Sequence, residues 1–346
     1  MRPPIVLVSI VVALTVCFGA LWAFQRSDRH STESLPFSNN ISLRLNGPFG
    51  STYAGELVAD QSGLFERLGL HLDLKSATSD VDPITLVSNG IDTFGVTRGD
   101  IFLVARAKGA PIVAFAAGYL ESPVEFYVLE KSGIHTPRDF IGKRIARQAE
   151  QDTAMIYDAM LARLQISRGQ VREISTGTDI TTFLNGEVDV WPGHVGKDSL
   201  MLQQKGVAYN VIRPTNFGIH VPGTVYFTSE KTIREHPELV QKFLGAVIAG
   251  WKLAYADNAK SVPMILSFDE KALTSDQVRF ELKDQRDYDL PLGRRFTEFD
   301  ESQWKMLLNI LIDQRLIHDS DSFNLSRAVT YEFLKEAYRK PIDFGN

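Results

Sequence analysis

The chain has 346 residues, of which 44% are hydrophobic and 23% charged, and its formal net charge is −5 at pH 7. This length suits two domains, or one two-lobed domain, with a sizeable core. The acidic balance excludes nucleic acid as an expected partner, because surfaces that bind nucleic acid are basic.

The first 24 residues differ from the rest of the chain. Residues 5–24 carry no charged side chain, and as a helix they would span a hydrocarbon core of about 30 Å. The sequence leaves open whether residues 1–24 are a cleaved signal peptide, a retained membrane anchor or a segment lipidated at Cys17. Each alternative predicts that the protein beyond the polar linker at 25–40 works in the periplasm or another extracytoplasmic space, in the last two cases attached to the membrane.

Motifs for catalysis are missing from the sequence. Cys17 is the only cysteine, so the remainder of the chain has no disulfide and no thiol nucleophile. The seven histidines do not form a metal-ligand spacing, and the phosphate-binding and nucleophile-elbow patterns are absent. We therefore expect no catalytic residue, no metal site and no cofactor.

From residue 41 onward, short apolar runs alternate with helical segments. Strands are predicted at 41–45, 70–74, 93–96, 111–117, 126–129, 142–146, 171–174, 188–191, 208–212 and 224–228. Helices are predicted after Ser51 and at 82–89, 100–108, 152–164, 180–184, 197–205, 237–257, 275–282, 301–314 and 326–340. Continuous apolar strands alternating with helices are typical of an α/β fold with buried, mostly parallel sheets.

The pattern restarts near residue 126, which predicts two α/β lobes. Residues 126–225 would form the second lobe, and residues 41–125 the first. The long helices after 226 predict a return of the chain to the first lobe, so that 226–346 completes it.

Ligands of α/β proteins bind beyond the carboxyl ends of strands, and this rule selects candidate residues. The candidates before the second half of the chain are Phe49, Ser51, Thr52, Tyr53, Arg98, Asp100, Tyr119, Glu121, Asp152 and Thr153. The turn at Ser51 begins a helix, whose free N–H groups suit an anion or a ring acceptor. A purely structural alternative stays open for several of them: Ser51, Asp100 and Asp152 as helix caps, and Glu121 as a solvated loop charge.

Trp191 and His194 stand out among the later candidates. They follow a predicted strand and offer a flat aromatic face and a polar tip. Tyr226, on the returning segment, would close an aromatic clamp with Trp191, which favours a planar ligand. The alternative is a buried Trp191 beside a surface His194.

Several short segments, in this order along the chain, resemble the NMT1/THI5-like branch of solute-binding proteins. These segments are 53–55 with 63–70, 90–96, 105–111, 132–143, 186–189 and 237–244. Together they extend the resemblance over about residues 41 to 315. Each segment is short, and their common order is what makes the resemblance specific for the fold.

The resemblance implies a two-lobed type II periplasmic-binding-protein fold with mixed, mostly parallel sheets and a helical C-terminal tail. Two crossing segments, near Phe126 and near 223–226, would join the lobes around a cleft. It further implies a small-molecule ligand and an ABC permease of the inner membrane as partners, and no enzymatic activity.

The resemblance does not fix the ligand. The predicted clamp favours a thiamine-pyrimidine-like or other planar heterocycle, and a sulfonate or nitrate binder is the alternative within the family. A membrane-tethered ligand sensor also stays open. The pyrimidine synthases of this family carry a cysteine cluster that this chain lacks, so a synthase is the remote alternative.

Overall fold

Two separate five-stranded sheets organise the protein. They are seen in a computed structural model that describes residues 39–77, 81–148, 152–269, 271–318 and 323–344. The strands within these residues are β1 (Asn40–Arg44), β2 (His71–Lys75), β3 (Phe94–Arg98), β4 (Ile112–Ala117), β5 (Val124–Leu129), β6 (Arg144–Arg147), β7 (Arg172–Ser175), β8 (Val190–His194), β9 (Tyr209–Ile212) and β10 (Thr224–Ser229).

Each sheet contains one strand that runs against the other four. The first sheet has the order β2-β1-β3-β10-β4, and β10 is antiparallel to both of its neighbours. The second has the order β7-β6-β8-β5-β9, and β5 is antiparallel to both of its neighbours. The prediction of two mixed, mostly parallel sheets is confirmed.

Helices cover the sheets. Those within the described ranges are α1 (Ala54–Gln61), α2 (Leu64–Arg67), α3 (Pro83–Ser88), α4 (Gly99–Ala107), α5 (Asp152–Arg163), α6 (Thr181–Leu184), α7 (Lys197–Gln204), α8 (Glu230–Glu235), α9 (Pro237–Ala256), α10 (Asn258–Leu266), α11 (Ser275–Asp289), α12 (Glu301–Asp313), α13 (Leu325–Ala328) and α14 (Glu332–Arg339).

The start of α3 follows from local chemistry. Asp82 accepts hydrogen bonds from the backbone N–H groups of Ile84 and Thr85, at 3.1 and 3.2 Å, and Pro83 occupies the first helical position. These bonds satisfy N–H groups that have no partner within the helix. We expect Asp82→Ala to lower the free energy of unfolding by about 1 kcal/mol, measured by urea denaturation. Asp82→Asn keeps an acceptor and serves as the control; equal losses in both variants would contradict the capping role.

The crossing of α1 and α9 requires glycine. A Cβ on Gly250 would overlap the carbonyl oxygen of Gly55, and a Cβ on Gly55 would overlap the ring of Trp251. The two helices therefore approach until their backbones touch. This crossing fixes α9 against the helix that follows the first strand of the first sheet.

The C-terminal region departs from the prediction of one helix over 326–340. The helix is interrupted between α13 and α14, because Thr330 donates its backbone N–H to the carbonyl oxygen of Ala114 at 2.9 Å and Val329 bridges to the same strand. A hydrogen bond to the edge of β4 thus replaces a helical one.

The predicted signal peptide or anchor at 1–24, and the linker except for its last two residues, lie outside the described residues. Of the helices that are described, none combines the length and the apolar character that crossing a bilayer demands.

Two crossing segments connect the sheets: residues 118–123, between β4 and β5, and residues 213–223, between β9 and β10. They run side by side. Gly118 donates to the carbonyl oxygen of Thr224 at 2.9 Å, and Gly223 donates to that of Tyr119 at 3.0 Å. This pairing brings the ends of the two sheets together and defines a cleft between them.

Candidate functional site

A cavity of about 370 Å³ lies between the two sheets. Its first wall is the turn at 46–53 with Arg98, and its second wall is Asp152 with residues 194–197. Tyr119, Pro123, Gly223 and Thr224 of the crossing segments and their flanks form its base, and residues of α11 close one side.

The turn after β1 supplies the first wall. Residues Ser51–Tyr53 form a short 3-10 turn that leads into α1. The Ser51 hydroxyl donates to Oε2 of Glu281 at 2.7 Å, and the Tyr53 hydroxyl donates to Oδ1 of Asn46 at 2.8 Å. Burial raises the pKa of Tyr53 far above its ordinary value, so its phenol stays protonated and can donate.

Arg98 projects from the end of β3 and lines the cavity. Its Nε and Nη2 donate to the two carboxylate oxygens of Asp100 at 3.1 and 2.8 Å. Asp100 does not line the cavity. Its two hydrogen bonds fix the position of the Arg98 guanidinium. Asp100, for which the sequence left a helix-cap role open, makes no side-chain cap hydrogen bond and pairs with Arg98 instead.

Asp152 and His194 meet at the second wall. Nε2 of His194 lies 3.0 and 3.1 Å from the two carboxylate oxygens of Asp152, and Nη1 of Arg98 lies 4.0 Å from Oδ1. Asp152 comes from the start of α5 and His194 from the end of β8, whereas Arg98 belongs to the first sheet. The carboxylate therefore faces a cation on its own wall and another across the cleft.

The electrostatics of this pair follow from burial and charge. Burial alone would raise the pKa of Asp152, but His194 and Arg98 outweigh it and hold that pKa well below its ordinary value. Burial likewise opposes the charged form of His194, and the carboxylate of Asp152 overcomes it and raises the pKa of the imidazole. The pair is thus an ionised carboxylate beside a readily protonated histidine.

The sequence reasoning missed the contribution of α11. Gln277, Glu281 and Gln285 all line the cavity. The side-chain amide of Gln277 donates to Glu281 at 2.9 Å, and that of Gln285 donates to the carbonyl oxygen of Ser51 at 2.8 Å. Their four-residue spacing puts them on one helix face, but the predicted helix ends at residue 282, before Gln285.

Trp191 does not lie in the cavity. Its side chain has no exposed surface and packs in the core of the second sheet with Tyr127, Phe183 and Leu202, while its indole N–H donates to Asp198 at 3.1 Å. β8 continues past Trp191 to His194, so the residue is inside the strand and not after its end.

Tyr226 also lies in a core, that of the first sheet. It is fully buried, and its hydroxyl accepts a hydrogen bond from the indole of Trp251 at 3.1 Å. Trp191 and Tyr226 are each fully buried in the core of a different sheet, and neither lines the cavity, so the predicted aromatic clamp is not formed.

Two further candidates, Thr153 and Glu121, do not line the cavity. Thr153 is buried and donates to the side chain of Gln148 at 3.2 Å. Glu121 contacts the imidazole of His220 at 3.2 Å, which ties one crossing segment to the other. The candidates that do line the cavity are Phe49, Ser51, Thr52, Tyr53, Arg98, Tyr119, Asp152 and His194; that they bind a ligand stays a prediction.

Similar proteins share this fold. The periplasmic aliphatic sulphonate binding protein SsuA from Escherichia coli superposes with a TM-score of 0.68 at 14% identity, over 89% of this chain and 94% of that protein. At such identity the likeness establishes the architecture alone. The predicted periplasmic-binding-protein fold is confirmed.

Two curated relatives carry names of different kinds. The formylaminopyrimidine-binding protein of Halalkalibacterium halodurans is 22% identical over 233 residues, which are 63% of this chain and 70% of that protein. The 4-amino-5-hydroxymethyl-2-methylpyrimidine phosphate synthase of Schizosaccharomyces pombe is 23% identical over 222 residues, which are 61% of this chain and 64% of that protein. The match to the synthase therefore spans less than two thirds of its length.

The second relative corrects a sequence-based prediction. The prediction that the chain is not an enzyme is wrong. The synthase is as similar to this chain as the formylaminopyrimidine-binding protein is, and its name is that of an enzyme.

A family assignment follows from the sequence itself. The profile of the NMT1/THI5 like family matches residues 51–261, which is more than half of the chain. This stretch runs from the turn of the first wall through β10 into α10, and includes both crossing segments. The chain therefore belongs to the NMT1/THI5-like family.

Proposed function

We propose that this protein is an extracytoplasmic receptor that binds a planar nitrogen heterocycle, of the thiamine-pyrimidine type, in the cavity between its sheets. The observation that carries the proposal is a cavity of about 370 Å³ with walls from both sheets. Cavities of roughly 300 to 1,000 Å³ are typical of small-molecule sites, and a small heterocycle with its first waters fits within this one.

The lining suits an aminopyrimidine better than a simple anion. Phe49, Tyr53 and Tyr119 offer aromatic surface, on which a planar ring packs. Glu281 supplies carboxylate oxygen for amino groups of the ligand, and the Ser51 turn supplies N–H groups for ring nitrogens. A sulfonate or nitrate would meet the carboxylates of Asp152 and Glu281 as well as the cation of Lys197, while Arg98 is already engaged by Asp100.

The transport role is part of the same proposal. The lobe built on the first sheet and the lobe built on the second would close around the ligand by bending at the crossing segments, residues 118–123 and 213–223. The closed receptor would then dock on an ABC permease. The apolar segment 5–24 would export the protein or hold it at the membrane.

Ligand binding can be measured as thermal stabilisation of the purified protein. With 4-amino-5-hydroxymethyl-2-methylpyrimidine at a hundredfold excess over its dissociation constant, we expect a gain of about 2.7 kcal/mol in the free energy of unfolding. Propanesulfonate, taurine and nitrate serve as comparison ligands. Stabilisation by propanesulfonate but not by the pyrimidine would overturn the proposed ligand class.

Synthesis of a pyrimidine phosphate is a second candidate, because a histidine and a carboxylate lie in hydrogen-bond contact inside the cavity. Such a pair can move a proton at a bound substrate. Mass spectrometry of small molecules released from the purified protein, before and after incubation, separates the alternatives. A receptor releases its ligand unchanged, whereas a synthase yields a phosphorylated pyrimidine.

A further inference from the structure

Helix α11 contacts the first wall of the cavity through its middle. Oε2 of Glu281 accepts the Ser51 hydroxyl at 2.7 Å, and the amide of Gln285 donates to the Ser51 carbonyl oxygen at 2.8 Å. Both partners lie in the turn that leads into α1. The helix therefore fixes the position of that turn from outside the first sheet.

The same helix contacts the second wall through Asp284. Its Oδ2 accepts the backbone N–H of Gly196 at 3.0 Å and the hydroxyl of Ser199. Gly196 and Lys197 line the cavity, and Ser199 is buried in the first turn of α7. One carboxylate thus holds the loop between β8 and α7, which immediately follows His194.

The C-terminal end of α11 is fixed at the crossing segments. The carbonyl oxygen of Tyr288 accepts the backbone N–H of Leu120 at 2.9 Å, and its hydroxyl donates to Glu125 at the start of β5. Its ring packs with Tyr119 and Val195. The helix is thus held where the chain crosses between the sheets, and its preceding turns reach both walls.

We propose that α11 is a strap that sets the separation of the two cavity walls, with Asp284 as a positioning residue that does not touch the ligand. The proposal rests on the cavity being the ligand site of the proposed function. A ligand that contacts Glu281 or Gln277 would contact the same helix that holds the second wall. Ligand contacts with the first wall and with the second wall would then be coupled through α11.

The wall separation can be measured without any ligand. Spin labels on cysteines introduced at Ile91, which is 63% exposed, and Ile141, which is 46% exposed, report from elements packed on the first and second sheets. The full chain carries Cys17→Ser so that only these positions are labelled. The distance distribution between the two labels is measured by double electron–electron resonance. We expect Asp284→Ala to broaden this distribution and to lengthen its mean by more than about 2 Å.

Asp276→Ala is the matched control, because Asp276 lies on the same helix with a fully exposed side chain. It removes the same charge, and the distance distribution should stay that of the parent. An unchanged distribution in a folded Asp284→Ala variant would overturn the strap. If the Asp284→Ala variant does not fold, as judged by circular dichroism, Ser199→Ala takes its place, because it removes one of the two hydrogen bonds to Asp284. It should lengthen the mean interlabel distance by a smaller amount. An unchanged distance would again overturn the proposal.

Kinetics with 4-amino-5-hydroxymethyl-2-methylpyrimidine as the probe supply a second readout. We expect Asp284→Ala to speed its dissociation about tenfold with little change in the association rate. If the parent protein does not bind the probe while the distances still shift, the proposed ligand is wrong and the strap stands. If the parent binds but neither distances nor dissociation change, the strap is wrong and the proposed function stands.

Discussion

Replacing Trp191 with alanine is expected to lower the free energy of unfolding by about 4 kcal/mol. The side chain has no exposed surface and fills the space between Tyr127, Phe183 and Leu202 in the core of the second sheet. Its loss leaves a large cavity and removes the indole donor from Asp198, a buried carboxylate. Urea denaturation measures the loss, and ligand affinity at a temperature where the variant remains folded should stay close to that of the parent.

Two variants separate packing from other effects of the Trp191 substitution. Trp191→Phe keeps most of the ring but not the N–H group, so it should cost about 1 to 3 kcal/mol, the usual cost of leaving a buried acceptor unpaired. Leu292→Ala removes a fully exposed apolar side chain and should change stability by less than about 0.5 kcal/mol. A Trp191→Ala variant that is as stable as the parent but binds ligand more weakly would instead show that Trp191 belongs to the ligand site.

The error over Trp191 has a specific origin in the sequence. Pro192 and Gly193 follow it, and this pair is typical of a turn, so the strand was expected to end at Trp191. In the structure β8 continues to His194, between β5 and β6. Because this strand is buried on both of its faces, local alternation does not reveal which side chains point to the cleft.

For other parts of the fold, local sequence signals were enough to predict the secondary structure. The sequence predicts a helix that begins at residue 82 and the strands of both sheets, because caps and periodicity depend on neighbouring residues only. Ser51, Arg98 and His194 were placed at strand ends by the same reasoning and do line the cavity.

The role of α11 depends on distant contacts, which explains why it was missed. Glu281 meets Ser51 across 230 positions in sequence, and Asp284 meets Gly196 across 88. A polar face at four-residue spacing is common on solvated helices, so the spacing of Gln277, Glu281 and Gln285 does not by itself indicate a cavity. Only the tertiary packing of α11 on the crossing segments gives that face a partner.

The ion pair between Asp152 and His194 should make stability depend on pH in a defined direction. The pKa of His194 is raised above its ordinary value of 6.5, so its contribution is complete below that pH and is lost as the pH rises through the raised value. The pKa of Asp152 is lowered below its ordinary value of 3.8, so its contribution is complete above that pH and is lost as the pH falls through the lowered value. Both contributions are therefore complete between about pH 4 and about pH 6.5.

We expect His194→Gln to cost about 3 kcal/mol of unfolding free energy in that window, since it leaves a carboxylate that is only 10% exposed with Arg98 as a distant partner. The cost should shrink as the pH rises through the raised pKa of His194, because the parent histidine then loses its charge as well. Urea denaturation of parent and variant across this range measures the difference. His71→Gln, at an exposed position at the start of β2, is the control and should change the free energy of unfolding by less than about 0.5 kcal/mol. A His194→Gln cost that is constant with pH would mean that the imidazole contributes by packing alone and that the charged pair with Asp152 adds nothing to stability.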